Sequence, residues 1–133
     1  MENYLELNLT DDQLRAISSI GLAHMGDAVF EALVRAWLCA HGKATGKGLH
    51  QATIRIVCAE SQAEKAERIL PLLTEEELAV FKRGRNAQVR SIPAHASRAQ
   101  YGEATALEAL LGWLYLKGCR ARINELFCKM MEE

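Results

Sequence analysis

The sequence lacks a C-x-x-C pair: its four cysteines stand singly, as Cys39, Cys58, Cys119 and Cys128. Zinc ribbons and fingers are thereby excluded, and reduced, buried thiols are expected. Proline is scarce, with only Pro71 and Pro93 in 133 residues. With no repeat and no linker-like tract, one domain over residues 1–133 is expected. Aromatic residues make up 6 %, so Ala, Leu, Ile and Val must fill the core. No apolar run approaches the roughly 18 residues that cross a bilayer. The start, MENYLELNLTDD, has no basic region ahead of an apolar one, so no secretory leader, no membrane and a cytoplasmic location are expected. Runs of alternating β-branched residues are missing too, which argues against a sheet.

The formal charge is −1, which argues against a simple polycation. The distribution is uneven. From Ala32 to Ala59 and from Leu78 to Gly102 there is no acidic residue, yet these stretches hold Arg35, Lys43, Lys47, Arg55, Lys82, Arg83, Arg85, Arg90 and Arg98. A nearly neutral chain with segregated positive charge can offer a basic face to a polyanion.

What remains reads as helix, so the expected fold class is all-α. Thr10 to Gln13 and Thr74 to Glu77 are capping-box patterns. The first predicts a short helix ending at Gly21. A long helix follows from about Leu22 to Cys39, with Val29, Leu33, Ala36, Trp37 and Ala40 on one stripe. Gly42 to Gly48 reads as a loop. Leu49 to Leu70 reads as a helix broken near Ala59, and the second capping box opens a helix that Gly84 should close. Further helices are expected over about Glu103 to Lys117 and Arg120 to Met131.

Two carboxylates stand in unusual company. Asp27 follows Gly26 within LAHMGDAVFEALVR, and Glu108 sits within the apolar stretch ALEALLGWLYL, four residues before Gly112. A carboxylate in a helix that is apolar nearly all round is costly unless it is paired or binds a metal. A glycine in a helix interior costs about 1 kcal/mol against Ala, which suggests a close helix crossing. Two such acids, each beside a glycine, can converge on a hard divalent cation, Mg²⁺ or Mn²⁺. The alternatives are that Asp27 caps a helix end and Glu108 pairs with an arginine. A carboxylate-held cation beside a basic surface suits phosphodiester hydrolysis. No aromatics interleave with the arginines, so a duplex backbone is a better expected target than unpaired bases.

HMGDAVFE and ATALEALLGWLYLKG resemble the two signature segments of the ribonuclease III family. LAHMGDAVFEALVR, GLHQAT, LTEEELAVFKRGRN and YGEATALEALLGWLYL resemble, in the same order, segments of its compact bacterial branch, Mini-ribonuclease III. The likeness spans about Leu7 to Leu126. It implies a helical endonuclease domain without a separate RNA-binding domain, and a homodimer that cuts both strands of double-stranded RNA. It further implies 5′-phosphate and 3′-hydroxyl ends, a role in maturing the large-subunit (23S) ribosomal RNA precursor, and no small-molecule cofactor. By position, Asp27 and Glu108 match the signature acids that bind the metal and are essential to catalysis. Two further family acids are replaced here by Ala23 and Thr105.

Lys82, Arg83, Arg85 and Asn86 are the foremost candidates for RNA contact, with Arg90 and Arg98 beside them; a solvated helix end would look the same. Lys43, Lys47 and His50 are further candidates, against a mobile loop and a packed histidine. His24 and Asp27, three apart, form a weaker metal pair. Two other readings compete: a duplex-binding dimer without catalysis, and an all-α nucleotide pyrophosphohydrolase. The latter would need facing E-x-x-E helices, for which Glu60, Glu64 and Glu67 are poor material.

Overall fold

The computed structural model describes residues 1–87 and 97–132, so Arg90 lies outside the described residues. Seven α-helices and one 3₁₀ turn, with no strand among the described residues, confirm the all-α expectation. The helices are α1 (Asp11–Arg15), α2 (Ser19–Ala40), α3 (Gly46–Val57), α4 (Ala59–Ile69), α5 (Glu75–Arg85), α6 (Arg98–Lys117) and α7 (Arg120–Met130).

Local chemistry sets the boundaries. Both expected capping boxes form: Thr10 accepts from the Gln13 amide and Thr74 from the Glu77 amide, and each partner side chain returns a bond. Gly21 does not end the first helix. That helix stops at Arg15, and the Ser18 hydroxyl accepts from the Gly21 amide at 2.9 Å to open α2. Gly46 to Gly48 is the first turn of α3 rather than loop, because Thr45 caps it through the Gly48 amide at 3.1 Å. The break near Ala59 is real: Cys58 turns extended, with ψ 156°. Gly84 lies inside α5, which closes at Asn86. Helix α6 starts five residues earlier than expected, because Ser97 and Gln100 form a capping box. It ends as expected at Gly118, whose φ of 90° favours glycine.

Helix α6 is the axis of the bundle. Leu107, Leu110 and Leu111 are wholly buried, against Phe30 of α2, Ile69 of α4, Phe81 of α5 and Leu126 of α7. Each such side chain contributes roughly 1.5–3 kcal/mol of burial free energy. The thiols are free as expected but not buried: Cys39, Cys58 and Cys128 are exposed and Cys119 is half-buried. Three of them stand at helix ends or breaks and Cys128 on the outer face of α7, where the core does not reach. Among the described residues, no helix is long and apolar enough to cross a membrane.

An ion pair between a buried carboxylate and a half-buried guanidinium ties α5 to α7. Glu77 accepts from Arg122 Nε at 2.9 Å and Nη2 at 2.8 Å, while Nη2 also serves the Leu72 carbonyl at 2.7 Å. Those bonds hold the Glu77 carboxyl below the usual carboxylate range, against the opposing effect of burial. Arg122→Ala should therefore cost about 3 kcal/mol at pH 7, the lower end for an uncompensated buried charge, since Arg122 keeps some solvent. The contribution is complete above the unfolded carboxylate pKa and is lost as pH falls through the folded one. Urea melts of the two proteins should thus converge in acid.

Candidate active site

Helices α2 and α6 cross at Gly26 and Gly112. A Cβ added to Gly26 would lie 1.6 Å from the Glu108 carbonyl oxygen, and one added to Gly112 would lie 2.0 Å from the Leu22 carbonyl oxygen. The two backbones are in contact there, as the interior glycines led us to expect. The same crossing brings together the helical positions that carry Asp27 and Glu108.

Both carboxylates line one pocket of about 210 Å³, together with Ile20, Ala23, His24, Tyr101 and Thr105. Asp27 is exposed at its mouth and Glu108 is half-buried behind it. Asp27 stands eight residues inside α2, so it caps nothing. Among the described residues Glu108 has no arginine or lysine partner. Its carboxyl is instead pushed up to about 8, first by burial and then by the neighbouring Asp27 carboxyl; a weaker pull the other way comes from Gln62. Asp27 is thus no helix cap, and no arginine among the described residues pairs with Glu108. Two acids that crowd each other without a cation are a ready oxygen donor set for a hard divalent ion.

Ala23 and Thr105, where the resemblance implies acids, line the same pocket. Ala23 is buried, and the buried Thr105 donates its hydroxyl to the Tyr101 carbonyl one turn back at 2.9 Å. Glu31 and Glu103 are engaged elsewhere, with Arg35 at 3.5 Å and Arg85 at 3.7 Å. Among the described residues no cluster of three metal-ligating side chains occurs, so His24 adds no third ligand to the pair.

The basic candidates divide. The carboxyl end of α5 lies on the first turns of α6: a Cβ on Gly84 would touch Ala106 and Ala109, and one on Gly102 would lie 3.3 Å from the Arg85 carbonyl. Arg85 and Asn86 thus sit beside the helix turns that carry Tyr101 and Thr105. Lys82 is exposed on the same end, whereas Arg83 lines a separate cavity of about 480 Å³ with Asp11, Arg15, Glu76 and Trp113. Lys43, Lys47 and His50 are exposed on and before α3, and none of them lines the carboxylate pocket. Arg98 is exposed in the first turn of α6. Glu60, Glu64 and Glu67 are exposed on α4, and among the described residues they join no cluster of three metal-ligating side chains, against a pyrophosphohydrolase.

The sequence reading overlooked Tyr101 and Gln62. Gln62 is 3 % exposed, and its Nε2 stands 2.8 Å from the Val57 carbonyl and 3.5 Å from Glu108 Oε2. Its signal was present: Gln62 shares a helical stripe with Ala59, Ala63, Ala66 and Ile69, so a polar side chain occupies a core position.

Comparison with known proteins agrees with the helical fold. The ribonuclease III domain family matches residues 21–118. A Mini-ribonuclease 3 of Symbiobacterium thermophilum is 42 % identical over 79 % of this chain and 81 % of that protein. A Mini-ribonuclease 3 of Thermoanaerobacter is 38 % identical over 94 % and 90 %. A crystal structure of a Fusobacterium nucleatum protein superposes with a TM-score of 0.80 at 29 % identity, covering 87 % of this chain and 93 % of that one. With the family matched over residues 21–118 and most of its length in common with relatives 38–42 % identical to it, the chain belongs to the ribonuclease III family, endoribonucleases that act on double-stranded RNA.

Proposed function

We propose that Asp27 and Glu108 hold a divalent cation, Mg²⁺ or Mn²⁺, and that the chain uses it to hydrolyse both strands of duplex RNA as a homodimer. The reading rests on the two carboxylates sharing one pocket, with no lysine or arginine among the described residues that line it. Their chemistry suits a hard ion, and Asp27, exposed at the mouth, can meet both ion and substrate. A bound ion would supply charge for the phosphate and a more acidic water. The protein's own part is to hold the two carboxylates, to keep Glu108 partly dry, and to receive the phosphates. Lys82, Arg85 and Asn86 on the end of α5, with Arg98 on α6, would take the backbone beside the pocket. Lys43, Lys47 and His50 would serve a more distant part of a long duplex, and Arg83 would reach RNA from the far side of α5.

Homodimer, cytoplasmic site of action and the 23S ribosomal RNA precursor as substrate follow from the family likeness. A two-fold dimer would match the approximate two-fold symmetry of a duplex. A binding module without catalysis is the competing reading, favoured by the loss of acids at Ala23 and Thr105.

A cleavage assay on a long RNA duplex separates the two. Wild type should cut only with Mg²⁺ or Mn²⁺ and stop with chelator, leaving 5′-phosphate ends. Asp27→Asn, isosteric and exposed, should retain the fold and duplex binding but lose cleavage by about 10³-fold or more, since even indirect partners of a metal ligand are worth 10–100-fold. Binding without cutting by wild type at any divalent concentration would establish the module instead.

A further inference from the structure

We infer that Gln62 is a positioning residue for the proposed metal site: its amide orients the Glu108 carboxylate from behind. This rests on the metal reading above. A buried amide is costly unless it is bonded, and at 3 % exposure a hydrophobic side chain of similar length would pack α4 on α6 without that cost. The amide has one short partner, the Val57 carbonyl at 2.8 Å. Val57 is the last residue of α3, and the chain turns extended at Cys58, so this carbonyl is one of those a helix end leaves over.

That bond decides which way the amide faces. Only the nitrogen can meet a carbonyl, so the NH₂ group is fixed on the Val57 side and the oxygen is turned away. Gln62 Oε1 is in fact buried with no partner. The second N–H is left for Glu108 Oε2 at 3.5 Å, long for a formed bond but of a length that tightens when a site takes up its ligand. The kink between α3 and α4 thus holds an amide whose donor side faces the carboxylate and whose oxygen has no partner at all. Packing alone accounts for neither feature. A donor behind a ligating carboxylate fixes which oxygen faces the ion, as partners of metal ligands do elsewhere.

The test is manganese binding to the RNA-free protein, followed by the electron paramagnetic resonance signal of free Mn²⁺, alongside thermal melts. Gln62→Met fills the same space without a donor. It should melt as one cooperative transition and bind Mn²⁺ roughly 10–100-fold more weakly than wild type. Gln62→Asn retains the amide but is one methylene shorter, and should fall between the two. A folded Gln62→Met with Mn²⁺ affinity within twofold of wild type overturns the inference; should that variant not fold, the same result for Gln62→Asn does so. Wild type that binds no Mn²⁺ at all overturns the metal reading itself, which is a different outcome.

Discussion

Glu108→Gln should abolish cleavage and yet make the metal-free protein more stable at pH 8. The two effects have one origin. In the folded chain the Glu108 carboxyl is pushed up to about 8 from 4.5 by burial and by Asp27. Between those two values the native state binds a proton that the unfolded state does not. Stability contributed by this group is therefore complete below about pH 4.5 and declines as pH rises to about 8. Above that, wild type carries an unfavourable ionised carboxylate worth a few kcal/mol, on the order of the shift at 1.36 kcal/mol per unit. Glutamine, neutral and of the same shape, removes the penalty, so its melting temperature at pH 8 in chelator should exceed that of wild type by several degrees.

Divalent metal should reverse the order. A ligand that binds only the native state stabilises it by mass action, and it must displace the proton from Glu108 to do so. Wild type should gain melting temperature with added Mg²⁺, more at pH 8 than at pH 6, while Glu108→Gln should gain little. Cleavage by the variant should fall by about 10³-fold or more, because a direct ligand must be worth more than the 10–100-fold of an indirect one. Differential scanning fluorimetry with and without metal, set beside duplex cleavage, reads all three quantities. A variant that is less stable than wild type in chelator at pH 8, or that cuts within tenfold of it, refutes the assignment. The pairing of lost activity with gained stability is what a site held under strain for its ligand predicts.

That Asp27 and Glu108 meet at one pocket was legible because each breaks its local pattern: Asp is a poor helix-interior residue, and a carboxylate in the apolar α6 is costly unless it is paired or binds a metal. Helix starts at Thr10 and Thr74 were legible because a capping box is local chemistry, complete within four residues. Gly21 and Gly84 were misread because glycine serves two ends. It can stop a helix or let a neighbour come close, and only the neighbour distinguishes them. At Gly84 the neighbours are Ala106 and Ala109, more than 20 residues away. The Ser97 cap was hidden by the polar stretch before it. Gln62 escaped for another reason. An amide on an apolar stripe is a weaker anomaly than a carboxylate, and its partners, the Val57 carbonyl and Glu108, meet it only once α4 has packed on α6. The cysteines show the limit of residue type as a guide to burial, since their places at helix ends and on an outer face decided their exposure.

Gly26→Ala should prevent the protein from reaching its native state, although local propensity points the other way. In a helix interior alanine is favoured over glycine by about 1 kcal/mol. Against that stands a methyl carbon 1.6 Å from the Glu108 carbonyl oxygen, 2.5 Å from its carbon and 2.8 Å from the Gly112 nitrogen. Carbon and carbonyl oxygen in the closest attractive contacts lie about 3.3–3.6 Å apart. The atoms struck are backbone, so no rotamer change relieves them, and α2 and α6 would have to part by well over an ångström. That separation opens the most extensive helix–helix interface among the described residues, where Phe30, Leu107 and Leu111 are fully enclosed. The cost should exceed the 1–3 kcal/mol usual for overpacking and take up much of a total stability of about 5–15 kcal/mol. Gly112→Ala, whose Cβ would lie 2.0 Å from the Leu22 carbonyl oxygen, should do the same from the other side. Gly46→Ala is the control: at the first position of α3, with nothing within 4 Å, it should be neutral or slightly stabilising. Circular dichroism melts should find the control at or above wild type and no cooperative transition for the other two. Because the struck carbonyl belongs to Glu108 itself, any Gly26→Ala protein that does fold should also bind Mn²⁺ more weakly than wild type. A native-like melt with undiminished Mn²⁺ affinity would show that the carboxylates are not held by this crossing.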